Sequence, residues 1–374
     1  MMLDTGAAAV AATTPGGAWL VAAVMWPVVA VLLAIVAGGR HAARITLAAM
    51  PVGLAVAWVI ATRVWEGGAI TYLVGGWAPP LGIALRADGL SAVMMVTTAI
   101  VITGAGLFAH ADFAAKPGEP ETRGSLVFWT LLIAVWGAMN LVVMSRDLFN
   151  LYVALELLTF AAVPLVSLDG RAATLAAALR YLMFALLGSV LYLLGAVLLY
   201  GAYGTLDISL LAARVQLEPV AWVAAALMTA GLLAKTALFP LHLWLPPAHA
   251  GAPPAASAVL SALVVKGSFV LLVRLWFEVM PGLWSVSATQ LVAALGAAAI
   301  LYGSVLALRQ ERLKLLIAYS TVAQIGYLFL MFPLAFDPAT ARLQGGVALT
   351  GGVLQTVSHA FAKAGMFMAA GLIA

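Results

Sequence analysis

The feature that most constrains this sequence is its division into about eleven apolar runs of membrane-spanning length. They cover residues 18–37, 45–64, 90–109, 125–144, 148–168, 175–200, 220–239, 255–277, 288–308, 313–334 and 346–374. A helix of about 20 apolar residues crosses the hydrocarbon core of a bilayer, whereas a spanning strand needs only about 10. With no water in the bilayer core, each backbone N–H and C=O must be satisfied within the chain, and a helix does this within one run. The expected fold class is therefore all-α, a polytopic membrane protein. Only 9% of the residues are charged and 65% are hydrophobic, against about 25% charged in a soluble domain. This leaves no room for a sizeable water-soluble domain. The stretch 69–84, "AITYLVGGWAPPLGIA", is apolar but broken by Gly75, Gly76, Pro79 and Pro80, and reads as an ordered loop between spans.

The loops set the expected orientation. After odd-numbered runs come Arg40 and Arg44, Lys116 and Arg123, Arg171, and Arg309 and Arg312. After even-numbered runs come Arg63, Arg86, Arg146, Arg214 and Arg342, thinner and mostly beside an acid. Counting Lys and Arg by the positive-inside rule places the N-terminus outside a cell inner membrane. The first residues lack a basic n-region, so the first run is expected to be a retained signal anchor. The net charge of +4 reflects this loop pattern rather than nucleic-acid binding. The C-terminal "TVSHAFAKAGMFMAAGLIA" stops inside an apolar run without a basic flank, the pattern expected of a sequence that continues past Ala374.

Sorting the charges by depth isolates a small set. Asp4, Glu66, Asp88, Asp112, Glu119, Glu121, Asp147, Asp169, Asp207, Glu218, Glu278, Glu311 and Asp337 fall in loops or at span ends. Glu156 alone falls well inside a run, eight residues past Leu148, or about 12 Å down. Lys235, Lys266 and Lys363 are interior as well. Arg180 and Arg274 are within about two turns of an end, where snorkelling is expected to reach water. The interior thus holds one carboxylate and three amines. A desolvated lysine can give up its proton, whereas arginine effectively cannot. Ionisable groups inside a membrane default to a functional reading, here proton handling, with a structural ion pair as the plainer alternative.

Lys235 lies in "LLAKTALFPLHLWLPPAHAGAPP". Pro240 and Pro246 are expected to break the helix there, and a broken helix at membrane depth is how transporters build ion sites. His242 and His249 flank the break and are read as lining a route to the cytoplasm or fixing the loop. Ser257, Ser261 and Ser268 surround Lys266 with small polar groups that hold water or let helices approach. His359 and Lys363 are four apart and share a helix face, with Gln355 and Ser358 as expected partners. The five histidines offer no facing pair for haem, no metal site is expected, and the absence of cysteine excludes iron–sulfur clusters and disulfides. There is no phosphate loop, nucleophile elbow or zinc-protease motif. No cofactor is expected.

Residues 234–274, "AKTALFPLHLWLPPAHAGAPPAASAVLSALVVKGSFVLLVR", resemble the proton-conducting membrane subunits shared by respiratory complex I, membrane-bound hydrogenases and Mrp-type cation/proton antiporters. "DLFNLYVALELLTF" is similar to the acidic helix of that family, and "RLKLLIAYSTVAQIGYL" and "SHAFAKAGMFMAAG" to its later helices. "YLVGGWAPPLGIALRADGLSAVM" leans towards the Mrp D-type subunit or the complex I subunits closest to it. The resemblance implies about fourteen helices with two inverted five-helix repeats, each with a broken helix. On that frame 1–124 holds N-terminal helices and the ordered loop, 125–279 the first repeat, and 280–374 an incomplete second repeat whose broken helix falls after Ala374.

It further implies that Glu156 and Lys235 form a charge pair, that Lys266 is a central relay, and that His359 and Lys363 continue the axis. The implied partners are other membrane subunits of a multisubunit complex and the lipid bilayer, with no nucleic acid, and the implied ion is the proton or sodium. There is no self-contained active site; the chain would be a translocase subunit if its host is complex I-like. The alternatives are a non-conducting scaffold of such a complex, a subunit of an inorganic-carbon uptake complex, or a carrier of an organic solute.

Overall fold

A computed structural model describes residues 12–113 and 123–373; Asp4, Lys116, Glu119, Glu121 and the first residues, those read as lacking a basic n-region, lie outside them. Helices α1 (Ala18–Ala37) and α2 (Gly39–Gly67) lead to a hairpin of strands β1 (Ile70–Leu73) and β2 (Ala84–Ala87). Next come α3 (Gly89–Phe113), α4 (Arg123–Met144), α5 (Leu148–Val166) and α6 (Ala172–Tyr203). The short α7 (Ile208–Arg214) precedes α8 (Pro219–Thr236) and the short α9 (Leu245–Gly251). The last long helices are α10 (Pro254–Val279), α11 (Val286–Leu308), α12 (Leu313–Leu334) and α13 (Val347–Ile373). Strands β3 (Phe336–Asp337) and β4 (Arg342–Leu343) lie between the last two.

Ten of these helices are long and apolar enough to cross a membrane, so this is a multi-pass membrane protein. Helix α13 has 27 residues, about 40 Å, but Gln355, Ser358, His359 and Lys363 lower its hydropathy below that of the other ten. The stretch 69–84 is more regular than the sequence suggests. Its ends pair antiparallel, Ile70 with Ala87 through Leu73 with Ala84, and only the Gly/Pro-rich middle stays a loop. Strand β2 is buried on both faces and docks on the α4–α5 junction, where Leu85 bridges Ser145. Alternation is therefore absent, and this is why the strands did not read as such.

Helix α10 is the core. Apart from three serines, Lys266, Arg274 and Glu278 its residues are apolar or small, and its membrane-length window is wholly buried, so it has no solvent face. It packs against α3, α4, α5, α8 and α13. Helices α6 and α8 cross closely at Gly188 and Gly231: a Cβ on either would lie 2.2–2.6 Å from the other's carbonyl oxygen. Such small-residue contacts let backbones approach where no hydrophobic gradient drives helices together.

The loops at 67–89, 144–148, 203–208, 279–286 and 334–347 gather at one end of the bundle, here called the hairpin end. There Leu148 N–H donates to the Leu206 carbonyl and Leu343 N–H to the Pro281 carbonyl, both within 3.0 Å. Asp147 caps α5 by accepting from Asn150 N–H at 2.8 Å, and Asp207 caps α7 by accepting from Leu210 N–H at 2.9 Å.

Candidate functional site

The site begins where α8 stops. Ala237, in the left-handed region at φ 59°, ends the helix in a Schellman arrangement: Ala237 N–H donates to the Ala234 carbonyl at 3.2 Å and Leu238 N–H to the Leu233 carbonyl at 3.1 Å. Glycine is the usual residue here, and alanine bears a cost of about 1–2 kcal/mol. The Trp244 indole donates to the Ala234 carbonyl at 3.0 Å and stacks on Tyr181 of α6 at 4.2 Å. The freed backbone is thus answered by a turn and a side chain, the condition for non-helical chain at membrane depth. Pro240 lies in this break, after a cis peptide bond. Pro246 does not break a helix. With Pro247 it occupies the first turn of α9, where a missing N–H is harmless and a fixed φ favours initiation. The expected role of Pro246 is corrected from helix breaker to helix starter.

Lys235 is the last but one residue of α8 and is 8% exposed. Its Nζ donates to Glu156 Oε1 at 3.1 Å and to Thr159 Oγ1 at 3.0 Å. Ser189 of α6 donates to the same Glu156 oxygen. Glu156 and Thr159 lie three apart on α5 and so meet the ammonium together. The carboxylate is held by one amine and one hydroxyl, and the amine by one carboxylate and one hydroxyl, as buried charges require. Gly188 places Ser189 there: a Cβ at 188 would also lie 3.1 Å from Lys235 Cγ.

From Lys235 the polar groups continue towards α10. Thr236 Oγ1 donates to Ser268 Oγ at 3.0 Å. A cavity of about 20 Å³ lies between Thr159, Lys235 and Ser268, room for one water. Lys266 is fully buried, and its Nζ donates to the Ser261 carbonyl. Ser261 belongs to a π-helical turn over Leu260–Val264, a feature frequent at functional sites. Lys266 is twelve residues into α10 and His359 twelve residues into α13, each about 18 Å deep in a helix of about 40 Å. Helix α13, which carries His359 and Lys363, packs directly on α10, which carries Lys266, and on α12. Lys363 donates to the Ile317 carbonyl at 3.2 Å and to Ser320 Oγ, both on α12. Among the described residues neither ring nitrogen of the buried His359 has a partner.

The expected partners of His359 are elsewhere: Gln355 donates to Gln324 at 2.9 Å, and Ser358 is exposed on another face of α13. Of the four residues read as an access route, His242 borders an open cavity of about 290 Å³. His249 is buried and stacks on Phe367 at 4.8 Å. Ser257 donates to the His249 carbonyl at 3.3 Å, and Ser261 bonds Thr321 at 3.0 Å, so both serines tie helices together. Thr159, Ser189, Ser320 and Thr321 join the site unannounced. Their only sequence signal is a hydroxyl in an apolar helix, too common to single out.

A second buried charge cluster corrects the sequence reading. Arg274 does not snorkel. It is fully buried and grips Asp88 with two nitrogens, Nη1 to Oδ2 at 2.9 Å and Nη2 to Oδ1 at 3.1 Å. It also donates to Glu278, four residues on, and to Ser91 Oγ at 2.8 Å. Arg146 takes the other Glu278 oxygen. Asp88, Arg146 and Glu278, all read as loop or span-end charges, are each below 10% exposed. At Asp88, burial alone raises the carboxyl, but the Arg274 guanidinium outweighs it and holds the group well below the usual carboxylate range. The network closes the hairpin end by joining the starts of α3 and α5 to the end of α10.

Comparison with known proteins follows the same outline. NADH-quinone oxidoreductase subunit N of Desulforudis audaxviator is 35% identical over 87% of this chain and 63% of its own length. The D-type subunit of the Na(+)/H(+) antiporter of Bacillus subtilis is 27% identical over 87% of this chain and 64% of its own length. This chain thus spans less than two thirds of either relative. The Mrp complex from a Dietzia species contains a chain that superposes with a TM-score of 0.83 at 27% identity, covering 96% of this chain and 64% of that one. An archaeal membrane-bound sulfane sulfur reductase contains another, with a TM-score of 0.84 at 27% identity, covering 95% and 71%. Residues 145–374, which carry every member of the Glu156-to-Lys363 series, match the family described as NADH:quinone oxidoreductase/Mrp antiporter, transmembrane, and the chain belongs to that family.

Proposed function

We propose that this chain is a proton-translocating, antiporter-like membrane subunit of a multisubunit complex. The observation that carries the reading is the Glu156–Lys235 pair at the break of α8, 3.1 Å long and followed by Lys266, His359 and Lys363 across the middle of the bundle. A scaffold has no use for amines whose burial is this costly. The series also favours the proton over sodium, because an amine or imidazole carries the former and repels the latter.

In the closed state Glu156 keeps Lys235 charged. When the pair separates, the desolvated ammonium has lost its counter-charge and releases its proton. The cavity beside Ser268 admits one water to carry it towards Lys266, and His359 passes charge on to Lys363. The break gives Lys235 a hinge: its helix ends one residue later, so the side chain can swing without moving a full span. The relatives' hosts are multisubunit complexes, which supports other membrane subunits as partners here. The division at 124 and 279 into N-terminal helices, first repeat and second repeat is part of the same proposal.

An inner membrane with the N-terminus outside fits the loop charges better once Arg86 and Arg146 are set aside as buried residues. Both belong to the hairpin end, and removing them from the count deepens the excess of basic residues at the opposite end. The test is Glu156→Gln, which keeps size and removes charge. In membrane vesicles carrying the whole complex, a pH-sensitive dye should report loss of coupled proton movement with assembly retained. Transport at the wild-type rate would reject the proposal, and Glu156→Asp should be the milder change.

A further inference from the structure

The cavity of about 290 Å³ beside the helix break has a chemistry that proton transfer does not use. Arg180 of α6, His242 of the break, Tyr302 of α11 and Tyr319 of α12 line it, with Pro246 and Phe184 completing the wall. No carboxylate lines it, and among the described residues Arg180 has no ion pair. His242 is 2% exposed and lines the inner part of the same recess as Arg180. Its ring packs against Tyr302 at 4.8 Å. An exposed guanidinium, two tyrosines and an imidazole therefore line one recess, and no acidic side chain lines it.

Depth identifies what fills it. Helix α6 has 32 residues, about 48 Å, against a hydrocarbon core of about 30 Å, so it overhangs by about 9 Å at each end. Arg180 is eight residues past Ala172, about 12 Å along. Its backbone thus sits about 3 Å inside the hydrocarbon boundary at the end opposite the hairpins, from which a long arginine side chain reaches up to the lipid headgroups. Beside it, and on towards the bilayer centre, runs an outward stripe of Leu179, Met183 and Leu187, each more than half exposed, a surface suited to an acyl chain. Tyrosine is the residue that bilayer interfaces select. A basic pocket between helices on the basic side of a membrane protein is the arrangement that binds anionic headgroups.

We propose that this recess binds the phosphate of an anionic phospholipid, held by the Arg180 fork and the Tyr302 and Tyr319 hydroxyls, with its acyl chains on the outer face of α6. The phosphate then lies against His242. The occupant lies beside His242, which the sequence places on a route to the break, but its binding does not depend on that role or on the proposed function.

The test uses the native complex in vesicles containing a phosphatidylglycerol with a photoreactive headgroup-proximal diazirine, with the adduct located by mass spectrometry. Wild type should label the segments around Arg180 and Tyr302. Arg180→Gln should lower that yield about tenfold, the scale of a lost charge-assisted hydrogen bond. Arg180→Lys should keep part of it, and Tyr302→Phe should lower it less than Arg180→Gln. Arg180 faces outwards, so these variants should assemble; a thermal melt in detergent checks this independently of lipid. The proposal fails if the wild type is unlabelled there, or if Arg180→Gln labels equally. It also fails if inorganic phosphate abolishes labelling, which would make the ligand free phosphate, or if a photoreactive group at Tyr302 captures a neighbouring subunit instead of lipid.

Discussion

Replacing Lys266 by arginine separates a relay from a fixed charge. Both side chains would sit in the same buried position, against the Ser261 carbonyl, so desolvation acts on both cations and largely cancels in the comparison. What remains is the intrinsic difference in proton release. Lysine titrates about 2–3 units below arginine, a gap of roughly 3–5 kcal/mol. If Lys266 must release a proton each cycle, Lys266→Arg slows that step by about 100- to 1000-fold. If it only supplies a positive field, the rate survives. The assay is the initial rate of proton movement in proteoliposomes holding the complete complex, read with an internal pH dye, alongside a melt to confirm folding. Lys266→Met serves as the paired control, since it removes charge and proton together. The relay predicts that both variants are inactive, and a fixed field predicts that only Lys266→Met is. A wild-type rate in folded Lys266→Arg would refute the relay.

The remaining predictions concern how the site is held. Gly188→Ala should force α6 from α8, because its Cβ would meet the Gly231 carbonyl at 2.6 Å; we expect about 1–3 kcal/mol of lost stability and slower transport. Gly104→Ala, whose Cβ meets nothing within 4 Å, should be neutral or mildly stabilising in the same melt. Arg274→Met should cost about 3–5 kcal/mol by leaving Asp88 buried and unpaired, and Asp88→Asn in the same chain should recover part of it; equal melting of single and double variants would oppose the pairing. Because the Asp88 carboxyl is depressed on folding, its stabilisation is complete above the ordinary carboxylate range near pH 4 and is lost as pH falls through its lower folded value. The melting difference between wild type and Asp88→Asn should therefore be flat from pH 7 to 5 and shrink only in stronger acid.

The spans and the Glu156-to-Lys363 series were legible because membrane burial makes each interior charge rare, and rarity needs no knowledge of neighbours. The break was legible because proline removes a donor wherever it stands. Pro246 was misread because the same residue ends one helix and begins another, and only the backbone on either side decides which. Arg274 was hidden for a different reason. Its distance from a helix end allowed snorkelling, and its partner Asp88 is 186 residues away in sequence. Depth along one helix says how far a charge is from water only if that helix borders lipid or water, and α10 borders neither. The same burial constrains function. A guanidinium bonded to two carboxylates ties the end of α10 to its neighbours, while Lys266 donates back into the π turn near the middle of that helix and Lys235 lies one residue from the end of a helix beside it. The irregular backbone at the break and at the Leu260–Val264 π turn thus lies beside the amines that can exchange a proton, whereas the second π turn, Leu275–Val279, is pinned at the hairpin end by Glu278 bonding to Arg274 and Arg146, cations that keep their protons.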